Sequence, residues 1–156
     1  MKITGYFLYN LVIALWVGGI SIFTFIITPV IFRSFGRDTA GEIVGKLFPV
    51  YFPYNLILSV LAGLLIIIFA LDRNAFAYKA SLFLIGAAVV INLFLCFKLH
   101  PEIREVKREI KSFESTTEES PLRKKFRKLH GISATLNLLL LADGITLLMI
   151  SSNLKR

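Results

Sequence analysis

An all-α integral membrane fold of four helices is what this chain predicts, and three observations predict it. No Asp, Glu, Lys or Arg occurs from residue 3 to residue 32. Three more long apolar stretches follow: between Lys46 and Asp72, between Lys79 and Lys98, and over residues 129 to 154, where Asp143 is the one interruption. Hydrophobic residues make up 56% of the 156, and mean hydropathy is +0.73. A helix needs about 20 mostly apolar residues to cross a ~30 Å hydrocarbon core, more than a soluble core helix gathers in one run. Spans are therefore expected at about 5–33, 46–71, 78–99 and 129–151, in a single domain of residues 1–156.

The first span carries Trp16, Gly18 and Gly19 in its middle. Small residues there let a neighbouring helix approach closely. Pro29 lies in its last turns and removes one backbone donor, which predicts a kink. Lys2 before an apolar stretch resembles a signal peptide, but the run is too long and lacks a small-residue cleavage site, so a true span is expected. Thr39 followed by Glu42 three residues later reads as a capping box, so the second helix is expected to start there. Pro49 and Pro53 should bend it, and Tyr51, Tyr54 and Asn55 give it a polar stripe. Residues 72 to 78 read as a short outer turn. Leu99, Ile103, Val106, Ile110 and Phe113 recur at spacings of three and four among charged residues, so the third helix should continue beyond the bilayer as an amphipathic helix. Ser120 followed by Pro121 marks the start of the fourth. Leu122, Phe126 and Leu129 carry its stripe into the span. Spans three and four should thus be joined by a helical hairpin whose apolar stripes face each other.

Net charge is +8, and the position of that charge decides what it means. With four spans both termini share a side, which holds Lys2, Arg73, Lys79, Lys155 and Arg156. The other thirteen of the 18 Lys and Arg fall between Arg33 and Lys46 or between Lys98 and Lys128. By the positive-inside rule the hairpin is cytoplasmic and both termini lie outside an inner (plasma) membrane. Orientation and attraction to anionic headgroups account for the charge. No run of interleaved aromatics offers a stacking platform for nucleic acid. The single Cys96 cannot form an intrachain disulfide, and one Cys with two His is too few for a four-ligand structural zinc site.

His100 and His130 are the only histidines, and the topology places each at the cytoplasmic end of its span, on adjacent antiparallel helices. One reading is that each imidazole caps a carbonyl or rests among headgroups, and Pro101 frees a carbonyl one turn before it. The other is that two neutral imidazoles supply both axial ligands of a b-type haem inside a helical bundle. Phe48, Tyr51, Phe52, Phe94, Phe97 and Phe126 lie at a depth to line such a pocket, and Lys98, Arg127 and Lys128 to meet the propionates. Cys96, four residues before His100, shares its helical face, and a thiolate with imidazoles suits Cu(I). A buried Cys is equally an apolar filler.

Asp143 is the only carboxylate within a span, and a charge there costs ~2.5 to 3.5 kcal/mol on insertion scales. It lies about 20 Å along the helix from His130, so it belongs to a different site. Its depth is expected to match that of Tyr9 and Asn10. The choice for Asp143 is between a hydrogen-bonded packing residue and a proton or cation relay. Asn92 and Asn137 read first as interhelical glue. Ser, His and acid do not converge, and no glycine-rich phosphate loop follows a strand, so hydrolytic and nucleotide chemistry lack a foundation.

Leu15-Trp16-Val17-Gly18-Gly19, Thr28 to Phe32, Ala40-Gly41 to Gly45 with Leu47-Phe48-Pro49 and Tyr51-Phe52, His100-Pro101 and Phe126 to Asn137 together resemble the transmembrane protein 205 family. The resemblance covers most of the chain and implies a four-helix membrane protein, with no assigned activity in its bacterial members. More distantly the first helix is similar to the group of copper-resistance D and HemJ-type proteins, some of which bind haem b or copper. That group usually has a histidine seven residues before the tryptophan, where this chain has Tyr9, which shifts the weight to His100 and His130.

The leading expectation is a membrane protein that binds a haem b cofactor, with His100 and His130 as axial ligands and Arg127 and Lys98 at the propionates. Copper held by His100, His130 and Cys96 is the alternative metal. A small-solute or copper permease, using Tyr51, Tyr54, Asn55, Asn92 and Asn137 with Asp143 as its titratable group, is a second reading. A structural subunit that binds a partner through the hairpin is a third. Small-residue faces at Gly18 and Gly19, Ala62 and Gly63, and Gly86 to Ala88 predict a homodimer.

Overall fold

The computed structural model describes residues 2–69, 76–110 and 112–153, and within them the chain forms four long helices and no strand. Helix α1 runs Lys2–Ile22, widens through a π turn at Phe23–Ile27 and resumes as Thr28–Ser34. Helix α2 is continuous over Arg37–Ile68. Helix α3 runs Phe76–Phe94, passes a π turn at Leu95–Leu99 and ends as His100–Glu109. Helix α4 is Pro121–Asn153. All four are long and apolar enough to cross a membrane, and the molecule is a multi-pass helical membrane bundle.

Both π turns stand just before a proline, Pro29 and Pro101. The ring of a helical proline clashes with the carbonyl four residues earlier, Phe25 for Pro29 and Phe97 for Pro101, and inserting one residue into the turn opens that contact. The kink expected at Pro29 therefore takes the form of a widened turn. Pro49 and Pro53 lie inside α2 without interrupting it.

The helices run up, down, up and down, with α1 packed on α2 and α4, and α3 packed on α2 and α4. Their inward faces bury Ile13, Trp16 and Ile20 of α1, Ala62 and Ile66 of α2, Ala88 and Leu95 of α3, and Leu140 and Leu147 of α4. Outward faces carry Phe7, Val50, Ile57, Phe83, Val90 and Met149, the inverse of a soluble bundle and what lipid as solvent requires. Leu99, Ile103, Val106 and Ile110 are all buried, so the amphipathic extension of α3 packs its stripe as the spacing predicts. Phe113, the last residue of that stripe, lies beyond the helix and meets Phe126 with ring centroids 4.9 Å apart.

One expectation needs correction. Thr39 and Glu42 form no capping box, because α2 starts at Arg37, two residues earlier, with Gly36 at the cap and no side-chain cap hydrogen bond. Glu42 instead pairs with Lys46 at 2.8 Å. Asp143 lies near enough to Tyr9 for its charge to act on the Tyr9 hydroxyl, while a Cβ on the adjacent Gly144 would stand 2.6 Å from Val17 and 3.9 Å from Trp16, half-way along α1. Most of the expected outer turn, and the last two residues of the expected second span, lie outside the described residues.

Candidate functional site

At the hairpin end of the bundle the ends of α1 and α3 and the starts of α2 and α4 enclose a cavity of about 440 Å³. His100 and His130 both line it, with Phe32, Val44, Phe48, Ile103, Phe113 and Phe126 as apolar wall and Arg37, Lys46, Arg104, Lys107 and Arg108 as basic side chains. The His100 ring lies 5.2 Å from Phe48 and 5.3 Å from Phe52, while His130 stacks nearly parallel on Phe126 at 5.8 Å. Gly41 and Gly45, one turn apart on α2, leave a groove for Lys107, whose Nζ donates to the Gly41 carbonyl. A Cβ on Gly45 would stand 3.2 Å from that nitrogen.

The loop after α3 closes one side through a clasp that sequence reasoning missed. Asp38 accepts the Phe113 N–H at Oδ1 and the Ser112 hydroxyl at Oδ2, each at 2.6 Å. These bonds, the hydroxyl's first, hold its carboxyl below the usual carboxylate range. Arg123 donates to the carbonyls of Phe113 and Thr116 at 2.9 and 2.6 Å, and its guanidinium lies over the Phe113 ring at 5.7 Å. Phe113 is thereby fixed as a wall of the cavity. The signal for the clasp was an Asp in the first turn of a helix, which reads equally well as a charge on the helix dipole.

A family model matches residues 11–112. The chain belongs to the DUF4149 family, a domain of unknown function. No curated protein and no solved structure matches it. The DUF4149 stretch includes Asp38, the Gly41 and Gly45 groove, Cys96 and His100, and it ends in the loop before α4. His130, Asn137 and Asp143 lie beyond it.

Of the residues expected at a cofactor, His100 and His130 come together at one cavity, whereas Lys98 and Arg127 are exposed and do not line it. Lys98 is two residues from His100 and so on the far side of α3. Phe126, not Arg127, is the α4 residue turned toward His130. Arg104, Lys107 and Arg108, one and two turns beyond His100, hold the basic positions instead. Cys96 lines a second cavity of about 490 Å³ with His100, Phe48, Pro49, Phe52 and Pro53. Among the described residues no three of His, Cys, Asp and Glu gather as a metal-ligand group.

A polar chain crosses the bundle on the membrane side of the cavity. Tyr51 of α2 donates to Asn137 Oδ1 at 2.6 Å, and Asn137 Nδ2 donates to Thr24 Oγ1 at 2.9 Å, joining α2, α4 and the π turn of α1. Asn55 donates to the Tyr51 carbonyl at 3.0 Å, and Asn92 of α3 donates to Ser59 at 3.4 Å. The glue role expected of Asn92 and Asn137 is what these bonds perform. Tyr54 stands apart, exposed, with its hydroxyl on the Leu15 carbonyl at 3.3 Å.

Proposed function

We propose that this member of the DUF4149 family binds an amphipathic, anionic cofactor, haem b, in the cavity at the hairpin end. The supporting observation is that the chain's two histidines, on adjacent antiparallel helices, line one apolar cavity that also carries five basic side chains against one acidic, Glu42, which pairs with Lys46. Its volume of about 440 Å³ falls within the ~300–1,000 Å³ of small-molecule sites. His100 and His130 would be the axial ligands, their rings oriented by Phe48, Phe52 and Phe126. Arg104, Lys107 and Arg108 replace Lys98 and Arg127 as the groups matched to the propionates. A haem ligated by two imidazoles supplies one-electron transfer. The distant resemblance of the first helix to HemJ-type and copper-resistance D proteins, some of which bind haem b or copper, supports a metal-containing cofactor without separating the two.

The split of basic residues favours a plasma-membrane location with the hairpin cytoplasmic and both termini outside. The test of the cofactor is an optical spectrum of the purified protein. Wild type should show Soret absorption, and His100→Ala and His130→Ala should each lose most of it while circular dichroism remains helical. A colourless wild type reconstituted with haem to no effect, or full pigment in both variants, refutes the assignment.

A further inference from the structure

The middle of the bundle holds a second polar cluster, to which each of the four helices contributes. Tyr54 bonds to Leu15, and a Cβ on Gly19 would stand 2.8 Å from the Tyr54 ring, which sets the neighbouring Asn55 at the level of residues 15–19 of α1. Gly144 packs against Val17 and Trp16, which sets Asp143 at the same level on α4. Asn92 joins from α3 through its bond to Ser59, one turn from Asn55.

Buried polar atoms with no protein partner include Tyr9 Oη of α1, Ser81 Oγ of α3 and Ser151 Oγ of α4 nearer the other end of the bundle, and one on each helix near its middle. The four near the middle are Trp16 Nε1, Asn55 Oδ1, Asn92 Oδ1 and Asp143 Oδ2. Trp16, Asn55 and Asn92 are fully buried. Buried amide oxygens rarely go unsatisfied, and two of them beside a carboxyl in one slab of the membrane interior is a concentration that helix packing does not require. Among the described residues no Lys, Arg or His pairs with Asp143. The cluster therefore consists of hard oxygen acceptors with one negative charge when ionised, with the Trp16 N–H and the Tyr9 hydroxyl, which lies within range of the Asp143 charge, as donors. Hard oxygens of this kind suit small hard cations, and one positive charge balances the site.

We infer that this slab is a binding site for a single monovalent cation, H⁺ or Na⁺, with Asp143 as its charge and Asn55, Ser59 and Asn92 as its oxygen shell. The site is separate from the histidine cavity and independent of the haem assignment. Thr24, Asn137 and Tyr51 lie between the two, so the polar chain gives the cation a route toward the hairpin end.

Two measurements on the full-length protein in detergent test this. Infrared spectroscopy reads the C=O band of a protonated carboxylic acid, and NaCl against choline chloride in weakly buffered solution reads Na⁺ binding as protons released. In sodium-free medium wild type should show a buried-acid band that Asp143→Asn removes. If the ligand is Na⁺, NaCl should release close to one proton per chain and bleach that band, with choline inert. If it is H⁺ alone, the band should persist in NaCl and shift in Asn92→Leu. Should Asp143→Asn fail to fold, Asn92→Leu and Asn55→Leu keep the carboxyl and serve in its place, with at least a tenfold weaker Na⁺ response or a displaced band expected in each. A wild type with neither an acid band nor a Na⁺ response, or a band unchanged in Asp143→Asn and in both leucine variants, overturns the inference.

Discussion

Replacing Asn137 by Leu tests whether the polar chain holds the bundle together. Leucine keeps the branching and the heavy-atom count of the amide and removes both interhelical bonds, the 2.6 Å acceptance from Tyr51 and the 2.9 Å donation to Thr24. Interhelical hydrogen bonds in membranes average ~0.6 kcal/mol and reach ~1.7, so two of them set an expected loss of about 1 to 3 kcal/mol. The Tyr51 hydroxyl keeps Thr24 and Asn55 within hydrogen-bonding reach, which moves the loss toward the lower end. Tyr51→Phe removes that hydroxyl and keeps the ring, which stacks on Phe23 at 4.1 Å and meets Phe52 at 5.3 Å. Unfolding of the single and double variants by sodium dodecyl sulfate in mixed micelles gives the cycle. The double variant should be more stable than the sum of the single losses implies, by ~0.6 to 1.7 kcal/mol. Strict additivity, or an Asn137→Leu variant as stable as wild type, would show that these contacts carry no interhelical energy.

Three further outcomes follow from the same geometry. In a Cys96→Ser background, an impermeant maleimide applied to intact cells should label Ser152→Cys and leave Ser115→Cys unlabelled, and the reverse pattern would invert the orientation. Asp38 has its carboxyl lowered by the Ser112 and Phe113 bonds, so the clasp's contribution is complete above the ordinary carboxylate range and is lost as pH falls through the lowered value. Protease nicking of residues 114–119 should thus rise only in strong acid for wild type, and at every pH for Asp38→Ala. For Gly18 and Gly86 an added Cβ would meet nothing within 4 Å, so these outward small residues are free to pack a second copy. A lipid-corrected mass of twice 17.6 kDa is expected, falling to one chain in Gly18→Leu or Gly86→Leu, whereas a wild type monomeric at every concentration rules out the dimer.

The four spans were legible because a bilayer leaves few options. A run of 20 uncharged apolar residues must be a helix when no water is present to satisfy its backbone. The hairpin extension was legible for a different reason, since Leu99 to Ile110 alternate with charges at helical spacing. The two histidines could be paired from topology alone, because span ends share a depth. What escaped was set by contacts distant in sequence. The Asp38 clasp links residues 74 and 75 apart, and Arg104 displaced Lys98 as a cavity residue because helical phase at His100 decides which basic side chain turns inward. That Asp143 also comes close to the level of Trp16 depends on how α4 slides along α1, and Gly144 against Val17 fixes that register.

The placing of the polar residues bears on both proposed sites. In water a buried asparagine is costly only if unpaired, but in a lipid-facing bundle the unfolded segment also finds partners, so its net contribution to stability is small. A chain that needed stability alone could fill the positions of Asn55, Ser59, Asn92, Asn137 and Asp143 with leucine and alanine, as it does at Ala62, Ala88, Leu140 and Leu147 on the same inward faces. Tyr51, Asn137 and Thr24 satisfy one another and can be read as glue, and they stand nearest the cavity. Asn55, Asn92 and Asp143 keep oxygens that no protein group satisfies; Asn55 and Asp143 stand near the level of Trp16, and Asn92 one turn away beside Ser59. The contrast between a satisfied set at one level and an unsatisfied set at the next is what a binding site in the membrane interior requires, since only unsatisfied acceptors have anything left to offer a ligand.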